Sequence, residues 1–155
     1  MTRSIAVFVA LLATAFALGP ALAHAFALPN KMGLSRDDYF IAQKAYAGWD
    51  RLAYLLVVQA AALVTVVVVT RHDTSAWIAS LLALAGLLAA QAVFWIFTYP
   101  ANVLTVNWTR PPEDWDVLRR QWEYSHAAGA ALQVVALCAL LFVAIRGAPH
   151  RRVPG

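Results

Sequence analysis

Charged residues are scarce in this sequence, since Asp, Glu, Lys and Arg together make up 13% of its 155 residues. Ordinary soluble domains carry roughly a quarter. Hydrophobic residues make up 62% of the chain instead. This composition predicts an integral membrane protein, and the length allows one compact bundle without a second soluble domain.

Motifs that mark several common functions are also missing. Cys138 is the only cysteine, which excludes an intrachain disulfide and a CxxC metal or redox site. The sequence contains no P-loop, no GxGxxG fingerprint and no Ser/His/Asp order typical of hydrolases. The net charge of +4 comes from scattered basic residues. Such charges commonly flank membrane spans and do not indicate a nucleic-acid surface, so we expect no nucleic-acid partner.

Four apolar segments are long enough to cross a membrane, where a helix needs roughly 20 residues. These segments are residues 4–22, 52–70, 76–99 and 127–146. The first follows a short basic start and ends near an Ala-x-Ala pattern, so it fits either a cleaved signal peptide or a retained helix. The three further spans favour the retained helix, and we expect a single transmembrane domain over residues 1–155.

The connecting segments 24–51 and 100–126 form long loops that contain helix-start signals. Pro29, Asn30 and Gly33 indicate a loop after the first span. Ser35 with Asp38 predicts one helix start, and Pro111-Pro112-Glu113-Asp114 predicts another. Helices should therefore run from about 36 to 70 and from about 112 to 146, with Pro100 breaking or bending the third span. The predicted fold is an all-α integral membrane four-helix bundle whose helices two and four extend beyond the bilayer on one side.

The distribution of basic residues predicts the orientation. The tails and the 71–75 turn, where Thr74 or Ser75 should cap the next helix, carry five arginines against one aspartate. The long connecting segments carry seven basic and seven acidic residues. The positive-inside rule then predicts that both termini are cytoplasmic. Alternation of the spans places His24, Trp95 and His126 together at the outer end.

The stretch from Trp115 to His126 is the main candidate for chemistry. Trp115, Arg119, Trp122 and His126 follow one another at intervals of four, three and four residues, so they share one helical face. His126 can exchange a proton near neutral pH. Glu123 lies one turn before it and could orient it, and Arg119 could pair with Glu123. An interfacial network without catalytic function remains an alternative.

His24, Glu123 and His126 have the residue types of a transition-metal site, and two histidines can ligate haem. Di-iron bundles need a second Glu-x-x-His motif and more carboxylates. We therefore expect no cofactor and keep a metal or haem as the alternative.

The aromatics can form an interfacial belt or line a pocket for a planar ligand. They are Trp49, Trp95, Trp108, Trp115, Trp122, Tyr39, Tyr46, Tyr54, Tyr99 and Tyr124.

The motifs of the second half are similar to those of a known family. Pro100-Ala-Asn102 leaves the third span, Asn107-Trp108 follows, and Trp115…Arg119-x-x-Trp122-Glu123-x-x-His126 opens the last helix. This pattern resembles the anthrone-oxygenase-like family of small four-span membrane proteins. His24…Leu28-Pro29-Asn30-Lys31 resembles the first loop of its bacterial members, which suggests a bacterial inner membrane. Many members carry an arginine where this chain has Gly129.

The resemblance implies an oxygenase or related oxidoreductase that acts on a planar, lipophilic phenol or quinone-type compound without a recognised cofactor. His126 would be the general base, oriented by Glu123, and Arg119 or Asn102 would stabilise an oxyanion. Substrate contacts would come from His24, Trp95, Asn107, Trp108, Trp115 and Trp122. The alternative is a non-enzymatic membrane module that binds a lipophilic ligand, a partner protein, a metal or haem. Membrane lipids and a small aromatic ligand are the expected partners, and a homo-oligomer remains open.

Overall fold

The structure, a computed structural model, describes residues 2–147. Within this range the regular structure is entirely helical, which confirms the all-α prediction. The α-helices are α1 (Thr2–Met32), α2 (Arg36–Gln43), α3 (Leu52–Thr70), α4 (Thr74–Val93), α5 (Tyr99–Leu104) and α6 (Trp115–Arg146). Four segments are long and apolar enough to cross a membrane, as expected of an integral membrane protein: Arg3–Met32, Trp49–Thr70, Thr74–Leu104 and Trp115–Arg146.

The four spanning segments pack in a ring in which α6 contacts α1 and α4, while α3 closes the ring between them. Small residues let α4 approach α6 closely, and a Cβ on Gly86 would lie 3.0 Å from the carbonyl oxygen of Leu132. Near the termini the core is apolar and contains Leu63, Leu87 and Leu140. A second cluster, rich in aromatic residues, lies at the opposite end.

A buried polar contact joins three helices in the middle of the bundle. The Gln59 Nε2 donates to Thr14 Oγ1 at 3.1 Å and to Gln133 Oε1 at 2.8 Å. The Gln133 amide donates back to Gln59 Oε1 at 3.4 Å. Because lipid offers these groups no hydrogen-bond partner, the contact links α1, α3 and α6 to one another.

The helix ends near the first loop differ from the prediction. α1 continues to Met32, ten residues past the predicted span, because its last turns pack on α6 and Pro29 removes only one backbone donor. Ser35 caps α2 through the Asp38 N–H, as expected. The predicted continuous helix from 36 to 70 is wrong. Two 3₁₀ turns interrupt it, and Gly48 between them adopts a φ of 83°, which glycine reaches without strain.

The second half of the chain also differs in detail. Asp73, rather than Thr74 or Ser75, caps α4 by accepting from the Ala76 N–H. This N–H, together with Arg3, holds the pKa of the Asp73 carboxyl below its usual range. The third span continues to Leu104 instead of stopping near Pro100.

A π-helical segment, Phe94–Thr98, lies just before Pro100. This wider turn accommodates the proline ring, which would otherwise clash with the carbonyl four residues earlier. α6 begins at Trp115, slightly later than predicted. At 32 residues it is about 48 Å long, which exceeds the thickness of a hydrocarbon core of roughly 30 Å.

Candidate functional site

His24 lies at the centre of an aromatic cluster at the end of the bundle opposite the termini. Its ring centroid is 4.3 Å from those of Tyr46 and His126, and 5.0 Å from that of Trp122. Trp49 contacts it edge-on at 5.2 Å. The structure therefore brings together His24, Trp122 and His126, as the sequence predicted, and adds Tyr46 and Trp49 from the 3₁₀ turns.

A backbone contact defines the tautomer of His126. Its Nδ1 lies 2.8 Å from the carbonyl oxygen of Trp122, four residues earlier on α6. A carbonyl can only accept, so Nδ1 carries the hydrogen and donates it. In the neutral ring Nε2 is then the unprotonated nitrogen. The side chain is half-buried, and Nε2 can act as a proton acceptor.

Glu123 is fully buried and pairs with residues from the first half of the chain. Lys31 Nζ lies 2.8 Å from its Oε1 as an ion pair, and the Tyr39 hydroxyl donates to the same oxygen at 2.9 Å. Burial raises the pKa of Tyr39 far above its ordinary value, and the neighbouring Glu123 carboxylate raises it further. Tyr39 therefore stays protonated and remains a hydrogen-bond donor.

The predicted pairings of Glu123 are wrong. Glu123 contacts Lys31 and Tyr39, whereas His126 donates to the backbone. Residues three apart on a helix point about 60° away from each other. As a result Glu123 points toward α2 while His126 points toward His24. Arg119 does not pair with Glu123 either, because its Nη1 donates to the Leu34 carbonyl at 3.0 Å.

A second aromatic group lies beside the first and surrounds Tyr39. Trp108 contacts Tyr39 at 5.2 Å and Trp122 at 5.8 Å between ring centroids. Trp115 packs on Tyr39 from another side, and the Arg119 guanidinium lies 4.6 Å from the centroid of the Trp115 ring. The two groups form one continuous cluster through Trp108 and Trp122.

Asn102 connects the two indoles that join these groups. Its Oδ1 accepts from Trp122 Nε1 at 2.8 Å and from Trp108 Nε1 at 3.1 Å. The sequence placed Asn102 among candidates for oxyanion stabilisation. In the structure it instead positions Trp108 and Trp122.

An unusual turn brings Trp108 back onto the bundle. Val106, Asn107 and Trp108 have φ values of 50°, 53° and 60°, a left-handed conformation that costs roughly 1–2 kcal/mol per residue. The buried Thr105 supports the turn, because its Oγ1 accepts from the Trp108 N–H at 3.0 Å. The Asn107 side chain is exposed outside the cluster.

Trp95 does not join the cluster, contrary to the prediction. It lies in the π-helical segment with 59% of its surface exposed, and its ring packs against Phe94 and Tyr99. Its position beside other exposed aromatics fits an interfacial belt. The sequence alone did not show that Trp95 points outward. The π-helical segment that contains it turns its side chain away from the direction expected in a regular α-helix.

The sequence pattern did not indicate the roles of several residues of the site. Lys31 resembled an ordinary membrane-flanking charge, yet it is buried beneath Tyr46 and Trp122. Tyr39 and Gln43 are one turn apart on α2 and both are buried. That spacing marked an amphipathic helix. It did not show that the buried face covers Glu123.

The predicted aromatic pocket is a packed cluster. The centroids of neighbouring rings lie 4.0–6.4 Å apart, and the rings fill the space in which a ligand was expected. Two shallow grooves lie elsewhere on the surface. One, of about 520 Å³, lies between the π segment and α6 beside Phe97 and Tyr124, and another, of about 430 Å³, lies near Ile78 and Phe142.

The residues of the alternative metal site are not arranged for one. Within residues 2–147 no group of three or more His, Cys, Asp or Glu side chains could hold a metal ion. An axial haem pair needs iron and the porphyrin plane between its imidazoles, and 4.3 Å between the centroids of His24 and His126 leaves no room for them. Comparisons of the chain with family models, curated proteins and solved structures find no match.

Proposed function

We propose that the protein is a membrane-embedded oxygenase or related oxidoreductase, similar to anthrone oxygenases, that acts on a planar lipophilic phenol or quinone-type compound. The observation that supports this most is the hydrogen bond from His126 Nδ1 to the Trp122 carbonyl. It leaves Nε2 of His126 unprotonated, on a ring that contacts those of His24 and Trp122. A fixed base beside flat apolar surfaces suits proton abstraction from a planar ring system.

In the proposed reaction His126 Nε2 removes a proton from the methylene carbon of an anthrone. The resulting carbanion, delocalised as an enolate, reduces dioxygen and forms a C–O bond. The peroxide takes up a proton, and loss of water from the hydroperoxide leaves a carbonyl. Dioxygen supplies one oxygen atom to the quinone and one to water, so no further oxidant is required.

The substrate would reach the base by displacing rings that now pack together. Tyr46 and Trp49 are the candidates for this displacement, because they lie on short 3₁₀ turns on either side of Gly48. The flat faces of Trp122 and Tyr46 would then stack on the substrate. Membrane lipid would supply the lipophilic compound directly to this end of the bundle.

The test is turnover of 1,8-dihydroxyanthrone by the protein in nanodiscs, followed by oxygen uptake and anthraquinone absorbance. His126→Ala should lower the turnover rate, measured after subtraction of the rate in buffer alone, by at least about 100-fold, because it removes the base. His72→Ala is the matched control, since His72 is exposed at the opposite end, and should keep the full rate. Unchanged turnover in folded His126→Ala would overturn the proposal.

The apolar groove of about 520 Å³ beside Phe97 and Tyr124 favours a second candidate, a membrane module that retains a lipophilic ligand without converting it. It predicts that an anthrone is bound but no quinone forms, and that His126→Gln is tolerated. Elemental analysis and an absorption spectrum of the purified protein test for a bound metal or haem.

We further propose that both termini face the cytoplasm of a bacterial inner membrane. Arg3 and Arg146 approach Asp73 at 3.2 Å and 3.9 Å, which gathers positive charge at the end opposite the aromatic cluster. This distribution supports an orientation with the cluster on the outer side.

A further inference from the structure

Six buried polar atoms at the outer end have no hydrogen-bond partner among residues 2–147. They are His24 Nδ1, Lys31 Nζ, Gln43 Nε2, Gln43 Oε1, Arg119 Nε and Glu123 Oε2. Buried polar groups almost always have a partner, because an unpaired one loses its hydration without compensation. Six of them at one end of a small bundle indicate a place where a polar ligand group binds.

These atoms belong to connected side chains. Lys31 pairs with Glu123, and Tyr39 bonds to the same carboxylate oxygen. Gln43 lies one turn after Tyr39, and its side chain approaches the Tyr39 hydroxyl. The Arg119 guanidinium lies 5.6 Å from the Tyr39 ring centroid. The unpaired donors therefore surround Glu123 and Tyr39.

Lys31 lies between these polar side chains and the aromatic rings. Its Nζ is 4.9 Å from the centroid of Trp122 and 5.0 Å from that of Tyr46, the same two rings that contact His24. The ammonium lies 2.8 Å from one oxygen of Glu123. Because an ammonium has three N–H groups, this ion pair leaves others available to a ligand that stacks on these rings.

The net charge of these buried side chains indicates which kind of ligand group would bind. Lys31 and Arg119 supply two positive charges and Glu123 supplies one negative charge. Burying an uncompensated cation is unfavourable, so a bound anion would stabilise the group. An ionised oxygen on a planar ring satisfies this charge while its ring occupies the aromatic side.

We infer that Lys31 binds the ionised phenol or enol oxygen of the planar ligand, with Gln43 Nε2 and Arg119 Nε as additional donors. The ligand class rests on the proposed function, and the residue assignment goes beyond it. Lys31 thereby takes the oxyanion role that the sequence pattern indicated for Arg119 or Asn102.

The test is binding of 1,8-dihydroxyanthraquinone to the protein in phosphatidylcholine nanodiscs. This dye absorbs at longer wavelength when its phenol ionises. The wild-type protein should bind the dye in its ionised form at a pH where the free dye is neutral. Lys31→Met should abolish the red shift and raise Kd at least about tenfold, whereas Lys31→Arg should keep the shift.

Two controls keep the test decisive if Lys31→Met fails to fold. The double variant Lys31→Met/Glu123→Gln removes both partners of the buried ion pair together and should fold, yet still lack the red shift. Anthraquinone without hydroxyl groups should bind the wild-type protein and this double variant with equal Kd. A red shift that survives in the folded double variant would overturn the assignment, as would the absence of saturable dye binding to the wild type.

The outcomes separate this inference from the proposed function. A Lys31-dependent red shift without anthrone turnover would support the binding role and reject the oxygenase. Anthrone turnover without a Lys31-dependent shift would support the oxygenase and reject the binding role of Lys31. Displacement of the dye by phosphatidic acid in the wild type alone would identify a lipid phosphate as the anion and overturn the phenol assignment.

Discussion

At the scale of single residues, Asn102 shows how a few polar atoms organise the aromatic cluster. One amide oxygen accepts from two indole N–H groups that come from different parts of the chain, the left-handed turn and α6. Trp108 and Trp122 are both buried. Neither indole N–H has another acceptor among the described residues, so the arrangement of the rings depends on Asn102.

Asn102→Ala should destabilise the protein, because each unpaired indole N–H costs roughly 1–3 kcal/mol. We expect a Tm in detergent several degrees lower and a red shift of tryptophan fluorescence. Asn107→Gly is the matched control, since it removes an exposed amide and accepts the left-handed φ. Equal Tm values for the two variants would contradict the role of Asn102.

Part of the site can be predicted from the sequence at this scale. The proximity of His24, Trp122 and His126 follows from their helical register and the alternation of the spans. The partners of Glu123 cannot be predicted in this way, because the sequence does not show that Lys31 and Tyr39 approach from other helices. Burial of Lys31 is a tertiary property, and nothing in its neighbours along the chain distinguishes it from a charge at the membrane surface.

At the scale of helices, the contact between α4 and α6 depends on a residue without a side chain. A Cβ at Gly86 would meet Leu132 O at 3.0 Å and the Ala136 Cβ at 3.3 Å, whereas a Cβ at Gly129 would meet nothing within 4 Å. Both glycines lie inside helices. They differ in the space around them.

This difference predicts opposite effects of the same substitution. Gly129→Ala should stabilise the protein by up to about 1 kcal/mol through helix propensity. Gly86→Ala should destabilise it by about 1–3 kcal/mol, because the helices must move apart. Tm measurements in one detergent check both, and a rise in Tm for Gly86→Ala would refute the close contact.

The helices themselves were largely predictable, and their ends were less so. Apolar runs of sufficient length predicted the four spans, and Ser35 predicted the start of α2. The end of α1 was misplaced because packing on α6 outweighs the loop signals of Pro29 and Asn30. The break after α2 was missed because Gly48 resembles any other glycine until its left-handed φ is known.

At the scale of the whole molecule, the bundle has two unlike ends. One carries Arg3, Asp73 and Arg146 over an apolar core, and the other carries the aromatic cluster with its buried charges. Such asymmetry follows from the alternation of four spans. Because the two ends differ, labelling residues at each end can measure the orientation of the bundle in the membrane.

Single cysteines at the two ends test the orientation in a Cys138→Ala background. Asn107→Cys should react with a membrane-impermeant maleimide in intact cells, because residue 107 is exposed beside the aromatic cluster. His72→Cys, exposed at the opposite end, should react only after permeabilisation. The reversed pattern would place the termini outside.

The π-helical segment has a consequence for how such a site can arise. The Tyr99 N–H bonds to the Phe94 carbonyl five residues earlier, so this turn contains one residue more than an α-helical turn. One residue corresponds to about 100° of rotation, which decides whether Asn102 points toward the two indoles or away from them. Insertion or deletion of a single codon could therefore create or abolish the aromatic cluster in one evolutionary step while all four spans remain intact.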